Sequence, residues 1–227
     1  MKAAVIKITG KVFSPEGRER LPGVVSELKQ ALQEGYRLAI VVGGGPIARQ
    51  YQELGKKLRL NNAVLDLLGI EVTRLNAALV ASAIGWEASL PVPRSFEEIV
   101  RWWARGSVVV TGGLQPGQST NAVAAEIAEL VGAEVLVNAT NVDGVYDKDP
   151  TTNPDAKLLK RLTIDDLERI LAEAPAVPGR YDLMDPVALK IVRRSKLRVA
   201  FVNVFRPGSI IAAIHGDTSV GSWLVWE

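Results

Sequence analysis

The stretch Arg37-Leu38-Ala39-Ile40-Val41-Val42-Gly43-Gly44-Gly45-Pro46-Ile47-Ala48-Arg49 decides how this chain folds. The apolar run from Leu38 to Val42 predicts a buried strand, and residues 47–57 carry a helix-compatible pattern. Three glycines join the two. Glycine tolerates positive φ and carries no side chain, so this turn can bring backbone N–H groups onto an anion at a helix N-terminus. Pro46, at the expected first helical position, removes an N–H that would be unpaired there anyway. Arg49, one turn in, can reach the same anion. The pattern is neither the Walker motif nor the dinucleotide fingerprint, so on its own it also fits a strand-to-helix turn that binds nothing.

Working outward, short β-branched runs at residues 3–8, 107–111, 134–138 and 198–203 alternate with helical patterns at 21–34, 50–58 and 121–131. That alternation predicts an α/β protein whose mostly parallel sheet lies between helices. Ser95-Phe96-Glu97-Glu98 reads as a capping box opening a helix through Arg105. Residues 62–83 are apolar on nearly every face, so they form either a core helix or one side of an oligomer interface. Residues 146–157, with turns at Asp149-Pro150 and Asn153-Pro154, and residues 174–181, with Pro175, Pro178 and Gly179, read as mobile loops.

Bulk properties narrow the chemistry. The chain has 227 residues, 48% of them hydrophobic, which suits one large α/β domain or two closely joined lobes. A net charge of +2 with dispersed basic residues argues against a nucleic-acid partner. There is no cysteine and a single histidine, His215, so disulfides, thiolate nucleophiles and multi-histidine metal cages are excluded. Chemistry falls to lysine, arginine, carboxylates, hydroxyls and backbone dipoles. Residues 1–10 do not read as a signal peptide, and no stretch reads as long and apolar enough to span a bilayer, so a cytoplasmic protein is anticipated.

Four glycine-containing loops follow expected strands, at residues 9–11, 43–45, 112–120 and 141–146. In an open α/β sheet ligands bind beyond the carboxyl ends of the strands, where these loops must meet. Lys7 and Lys11 bracket the first, and a lysine is a compact charge suited to a phosphate in transfer. Loop 112–120 offers hydroxyls, amides and helix-terminal N–H groups for a phosphate-bearing ligand. In the fourth, Asp143 can hold lysines or Mg²⁺ in place, or simply stabilise the turn, and Tyr146 can flank a base.

Five blocks carry a resemblance: Lys7-Ile8-Thr9-Gly10-Lys11, Val42-Gly43-Gly44-Gly45, Asp66-Leu67-Leu68-Gly69 with Thr73-Arg74-Leu75-Asn76-Ala77, residues 111–120, and residues 139–149. In order and spacing the chain resembles the amino acid kinase superfamily, most closely its archaeal-type UMP-phosphorylating branch, over essentially its whole length. The resemblance implies a three-layer α/β/α sandwich in one domain. Its N-terminal part would bind the acceptor and oligomerise, and its C-terminal part, from about residue 130, would bind ATP. It further implies transfer of the ATP γ-phosphoryl group to UMP with Mg²⁺, held mainly by the ATP phosphates, in a homohexamer built as a trimer of dimers. Lys7, Lys11 and Asp143 would be catalytic. Lys7, Thr9, Gly10, Lys11, Gly45 and Arg49 would meet the ATP phosphates, while Thr140, Asn141, Tyr146 and Asp149 would hold its nucleoside. Gly44, Asp66, Leu114, Gln115, Pro116, Gly117, Gln118, Ser119 and Thr120 would bind UMP.

Relatives acting on carboxylates place a second lysine near the turn matching Met184-Asp185-Pro186-Val187. Val187 stands there instead, which favours a nucleotide acceptor and leaves Lys190 as a surface lysine. The alternatives are a sister kinase acting on carbamate, an amino acid or isopentenyl phosphate, and a non-catalytic nucleotide or oxyanion storage protein. Isopentenyl phosphate kinases use a histidine near the acceptor, for which no counterpart is found, and retention of Lys7 and Asp143 favours turnover over storage.

Overall fold

A computed structural model describes residues 2–150, 152–173 and 183–226. The chain enters through β1 (Ala3–Ile8), two 3-10 turns at Gly10–Phe13 and Arg18–Arg20, α1 (Leu21–Gln33) and β2 (Arg37–Val42). It continues through α2 (Gly45–Lys57), α3 (Asn62–Ile84), α4 (Phe96–Ala104), β3 (Val109–Thr111), α5 (Thr120–Val131) and β4 (Val135–Thr140). Three two-residue strands follow, β5 (Val145–Tyr146), β6 (Leu158–Leu159) and β7 (Arg161–Leu162). The remainder is α6 (Ile164–Glu173), α7 (Pro186–Arg194), β8 (Val199–Asn203), α8 (Ser209–Ile214) and β9 (Ser222–Leu224).

The main sheet runs β3-β2-β1-β4-β8-β9-β7. Its first five strands are parallel, and β9 turns against β8. Alternate residues of one strand feed opposite layers. Ile6 and Ile8 join α1, α3 and α8 on one face, while Val5, Ala39 and Val41 meet α4, α5, α6 and α7 on the other. Each fully buried aliphatic side chain, such as Ile6, Ile40 or Leu28, contributes about 1.5–3 kcal/mol of transfer free energy. This is the expected three-layer α/β/α arrangement.

Several local expectations shift. The third strand starts at Val109 and not at 107, because Val108 is already paired with the 87–89 segment through Val108 N–H to the Glu87 carbonyl at 2.7 Å. The second helix begins at Gly45, well before residue 50, with Pro46 inside its first turn. Only half of the capping box forms. Ser95 accepts from the Glu98 N–H at 3.3 Å, but the Glu98 carboxylate reaches back to the Arg94 N–H at 2.6 Å. Residues 146–157 are bracketed by a small antiparallel ribbon, Tyr146 opposite Leu158. Residues 174–181, expected as a loop, lie outside the described residues.

One expectation is corrected outright. α3, 23 residues long and with a mean hydropathy of 1.5 over its most apolar 18 residues, has the length and composition of a membrane span. Half of that apolar stretch is nevertheless buried inside the fold. Leu65, Ile70, Val80 and Ile84 face inward, whereas Leu67, Leu75 and Leu79 are exposed. The two alternatives for this helix are therefore divided between its faces: one lies in the core, and the other is left uncovered by the chain itself.

Candidate active site

Parallel pairing brings the carboxyl ends of β3, β2, β1, β4 and β8 to one edge. The loops after them stand in that spatial order: 112–120, 43–45, 9–11, 141–146 and 203–209. The first-strand and triple-glycine loops are thus central, with the 112–120 loop on one flank and the Asp143 loop on the other.

The two central loops meet backbone to backbone. A Cβ placed on Gly10 would lie 2.1 Å from the Gly45 nitrogen, and one on Gly45 would lie 2.0 Å from the Gly10 carbonyl oxygen. Of the three glycines only Gly45 has positive φ, at 63°. Gly43 and Gly44 are required by closeness: their Cβ atoms would meet the Gly10 nitrogen at 2.8 Å and the Ala48 Cβ at 2.5 Å. Thr9 anchors the first loop, its N–H donating to the Ala139 carbonyl at 2.9 Å and its hydroxyl accepting from the Lys11 N–H at 3.4 Å.

Positive charge gathers around this contact. Lys11 is half-buried, and burial first, then the Arg49 charge, holds its ammonium below the ordinary lysine range. Two cations that repel each other near the start of α2 favour an anion beside them. Lys7 sits half-buried on β1, in register with Val41 and Asn138 on the flanking strands.

On the β3 side a cleft of about 440 Å³ is lined by Gly44, Gly45, Arg49, Asp66, Gly117, Gln118, Ser119 and Thr120 among others. Leu114, Gln115 and Pro116 do not line it. The Leu114 side chain packs into the α5-side core while its carbonyl accepts from Arg74. Asp66, half-buried in the first turns of α3, accepts the Gly117 N–H at 2.9 Å and so ties the 112–120 loop to the helix. The Ser119 hydroxyl is used structurally: it accepts from the Asn121 and Ala122 N–H groups at 3.1 Å each and donates to Asp185, the cap of α7.

α3 sets the width of this cleft through two residues not anticipated as functional. Asn76 Nδ2 donates to the Gly43 carbonyl at 2.9 Å, and Thr73 Oγ1 accepts from the Gly113 N–H at 2.7 Å while donating to the Ile70 carbonyl. One helix thus pins the second and third loops at a fixed separation. Both residues stood in the Thr73-Arg74-Leu75-Asn76-Ala77 block. Polar residues at i and i+3 on an otherwise apolar helix were the available signal.

On the other flank, Asp143 is gripped by Arg206 and Asn203. Its Oδ1 accepts from Asn203 Nδ2 at 2.8 Å and from Arg206 Nε at 2.7 Å, and its Oδ2 accepts from Arg206 Nη2. Burial pushes this carboxyl up, but the hydrogen bonds and the guanidinium charge outweigh it, so its pKa lies below the usual carboxylate value. Burial and the Asp143 charge push the Tyr146 phenol up. A smaller cleft of about 320 Å³ opens here, lined by Asp143, Lys160, Asn203 and Arg206 among others. Thr140 is buried at the end of β4, Asn141 starts the loop, and the Asp149 carbonyl closes the turn by accepting from the Asn153 side chain at 2.9 Å. Arg206 and Asn203 were missed because no motif joins them to Asp143; only pairing of β4 with β8 does.

Sequence comparison matches the amino acid kinase family over residues 2–203. The chain belongs to the amino acid kinase family. A uridylate kinase of Sulfurisphaera tokodaii is 47% identical over 96% of both chains. One of Sulfolobus acidocaldarius is 44% identical over 98% of both. The crystal structure of a uridylate kinase from Archaeoglobus fulgidus superposes with a TM-score of 0.86 at 36% identity, covering 99% of this chain and 100% of that one.

The single histidine, His215, pairs with Glu34 where α1 and α8 end, away from these loops. Val187 and Lys190 are exposed on α7. Among the described residues no three acidic or histidine side chains cluster to hold a metal ion.

Proposed function

We propose that this chain is a UMP kinase, transferring the γ-phosphoryl group of Mg–ATP to UMP and releasing UDP and ADP. The observation that carries this reading is the Gly10–Gly45 contact, which places side-chain-free backbone and the Lys11 and Arg49 charges between a cleft on the 112–120 side and the Asp143 loop. The identities of 44–47% with uridylate kinases over nearly the whole chain support UMP as the acceptor.

Donor and acceptor then lie on opposite sides of the glycine contact. UMP occupies the 112–120 side with its ribose at Asp66 and its phosphate against Gly44. ATP lies over the 141–146 loop, its nucleoside near Thr140, Asn141, Tyr146 and Asp149, and its phosphates reach Thr9, Gly10, Gly45, Lys7, Lys11 and Arg49. The division of labour follows the chain, with the acceptor and the donor's phosphates held by the N-terminal part and the donor's nucleoside by residues from about 130 onward. Mg²⁺ enters with ATP, carried by its phosphates. The attacking UMP phosphate oxygen is already ionised, so the transfer needs no general base. The chain aligns two anions in line and offsets their repulsion with lysine, arginine and backbone N–H groups.

We also place the protein in the cytoplasm as a hexamer, a trimer of dimers, with Leu67, Leu75 and Leu79 of α3 covered by a second copy. The deciding experiment is a coupled assay with Mg–ATP across UMP, CMP, dUMP and carbamate. UDP formation far exceeding the other products is expected, and turnover of another acceptor without UDP overturns the proposal. Lys7→Ala should lose kcat while remaining folded; an unchanged kcat removes Lys7 from the mechanism.

A further inference from the structure

Glu27 of α1 is 7% exposed, yet it is a carboxylate. Burial of a charge is tolerated only with full compensation, and four donors supply it. The N–H groups of Gly208, Ile210 and Ile211 donate at 3.0, 3.0 and 3.2 Å, and Arg20 adds its guanidinium. Arg20 also donates from Nε to the Val204 carbonyl at 2.7 Å and from Nη2 to the Arg206 carbonyl at 3.4 Å. Together the two side chains grip carbonyls at the front of the 203–211 segment and N–H groups at its back.

We propose that Glu27 and Arg20 are positioning residues for the phosphoryl-donor end of the site, acting through Arg206 and Asn203 on Asp143; this rests on the donor-site reading above. The segment they hold sends two groups across to the 141–146 loop, the Arg206 guanidinium and the Asn203 amide, and both end on Asp143. Asn203 is itself fixed, because its Oδ1 accepts the Phe205 N–H at 2.9 Å and its carbonyl accepts the Ser209 hydroxyl at 2.7 Å. Asp143 is therefore oriented by groups whose backbone is anchored from α1.

A local side-chain cap is closed to α8. Its N-cap is Gly208, at φ 81°, a left-handed backbone in which serine or aspartate would be strained, so the helix start must be satisfied from elsewhere. The chain uses a carboxylate 181 residues away. That carboxylate sits on the helix that follows the Lys11 loop, so α1 joins the Lys11 side of the donor site to the Asp143 side. Supporting contacts of this kind decide whether site groups hold their geometry to within a fraction of an ångström.

The test uses the full chain with Glu27→Gln, which keeps the shape but turns one acceptor into a donor facing N–H groups. Mg–ATP binding is titrated calorimetrically without UMP, and KM values for both substrates are then measured. The expected result is at least a tenfold rise in Kd and KM for ATP, with KM for UMP within twofold of wild type. In an Asp143→Asn background, which should itself weaken ATP binding, Glu27→Gln should add less than twofold. An unchanged ATP Kd in Glu27→Gln, equal shifts in both KM values, full multiplication of the two effects, or no effect of Asp143→Asn overturns the proposal. Should Glu27→Gln not fold, Arg20→Lys is read by the same criteria, with a threefold rise expected for ATP alone. ATP binding without acceptor reports on this inference, whereas wild-type turnover of UMP reports on the function, so the two fail separately.

Discussion

The carbonyl oxygen of Gly10 occupies the place where a side chain on Gly45 would begin, 2.0 Å from the ideal Cβ position. Two loops 35 residues apart in sequence therefore constrain each other through backbone alone. Gly45→Ala must both hold φ near 63° and push this contact apart. We expect a loss of about 2–4 kcal/mol in stability, from left-handed strain plus overpacking. Turnover should fall by at least ~100-fold, because the reacting phosphates lose alignment. Thermal unfolding and steady-state kinetics on one preparation check both; a stable variant with near-normal kcat contradicts the placement.

Lys11 gives a pH signature. Burial and Arg49 lower its folded pKa from the ordinary lysine value of 10.5, so the unfolded chain binds the extra proton between the folded value and 10.5. Stability of the ligand-free protein should accordingly gain a rising contribution over that interval, and the penalty should be fully present below it. Lys11→Met should abolish this contribution. Bound nucleotide phosphate raises the pKa again, so ATP binding at alkaline pH should take up protons. Calorimetry in buffers of different ionisation enthalpy measures that uptake, and no difference between wild type and Lys11→Met excludes Lys11 from the phosphate cradle.

Asp66 separates loop support from ligand binding. Asp66→Asn keeps an oxygen for the Gly117 N–H, now 2.9 Å away, while removing the charge offered to a ribose. KM for UMP should rise about tenfold, the equivalent of ~1.4 kcal/mol, with KM for ATP unchanged. Equal effects on both substrates would make Asp66 a loop tether alone.

Leu75 and Leu79 are 70% and 54% exposed on α3, whose inner face pins the cleft through Thr73 and Asn76. If the proposed hexamer is built through this face, Leu75→Lys with Leu79→Lys should convert it to smaller species in light scattering, because two charges would be buried at a copy-to-copy contact. Retention of the wild-type mass places the interface elsewhere.

Much of this was legible in the chain. Strands at 3–8 and 37–42 are observed at those bounds, because five apolar residues in six between turn formers have few other uses in water. The strands at 145–146, 158–159, 161–162 and 222–224 were not read, since two or three residues carry no periodicity and exist only through their partners. The length and apolar character of 62–84 were plain from the sequence, but not which face would be covered. Of the loop 112–120, sequence treated all members alike. The fold separates Gly117 to Thr120, which line the cleft, from Leu114, which is drawn into the core.

The sequence by itself determined the alternation of strands and helices, the glycine turns and the family they mark, because these rest on local backbone freedom and hydrophobic periodicity. Only the tertiary structure decided that Gly10 and Gly45 touch, that Thr73 and Asn76 set the cleft, and that Asp143 answers to Arg206 and, behind it, to Glu27. Those relations join residues 33 to 181 positions apart, and they exist because parallel strands deliver distant loops to one edge, where buried polar groups must find partners.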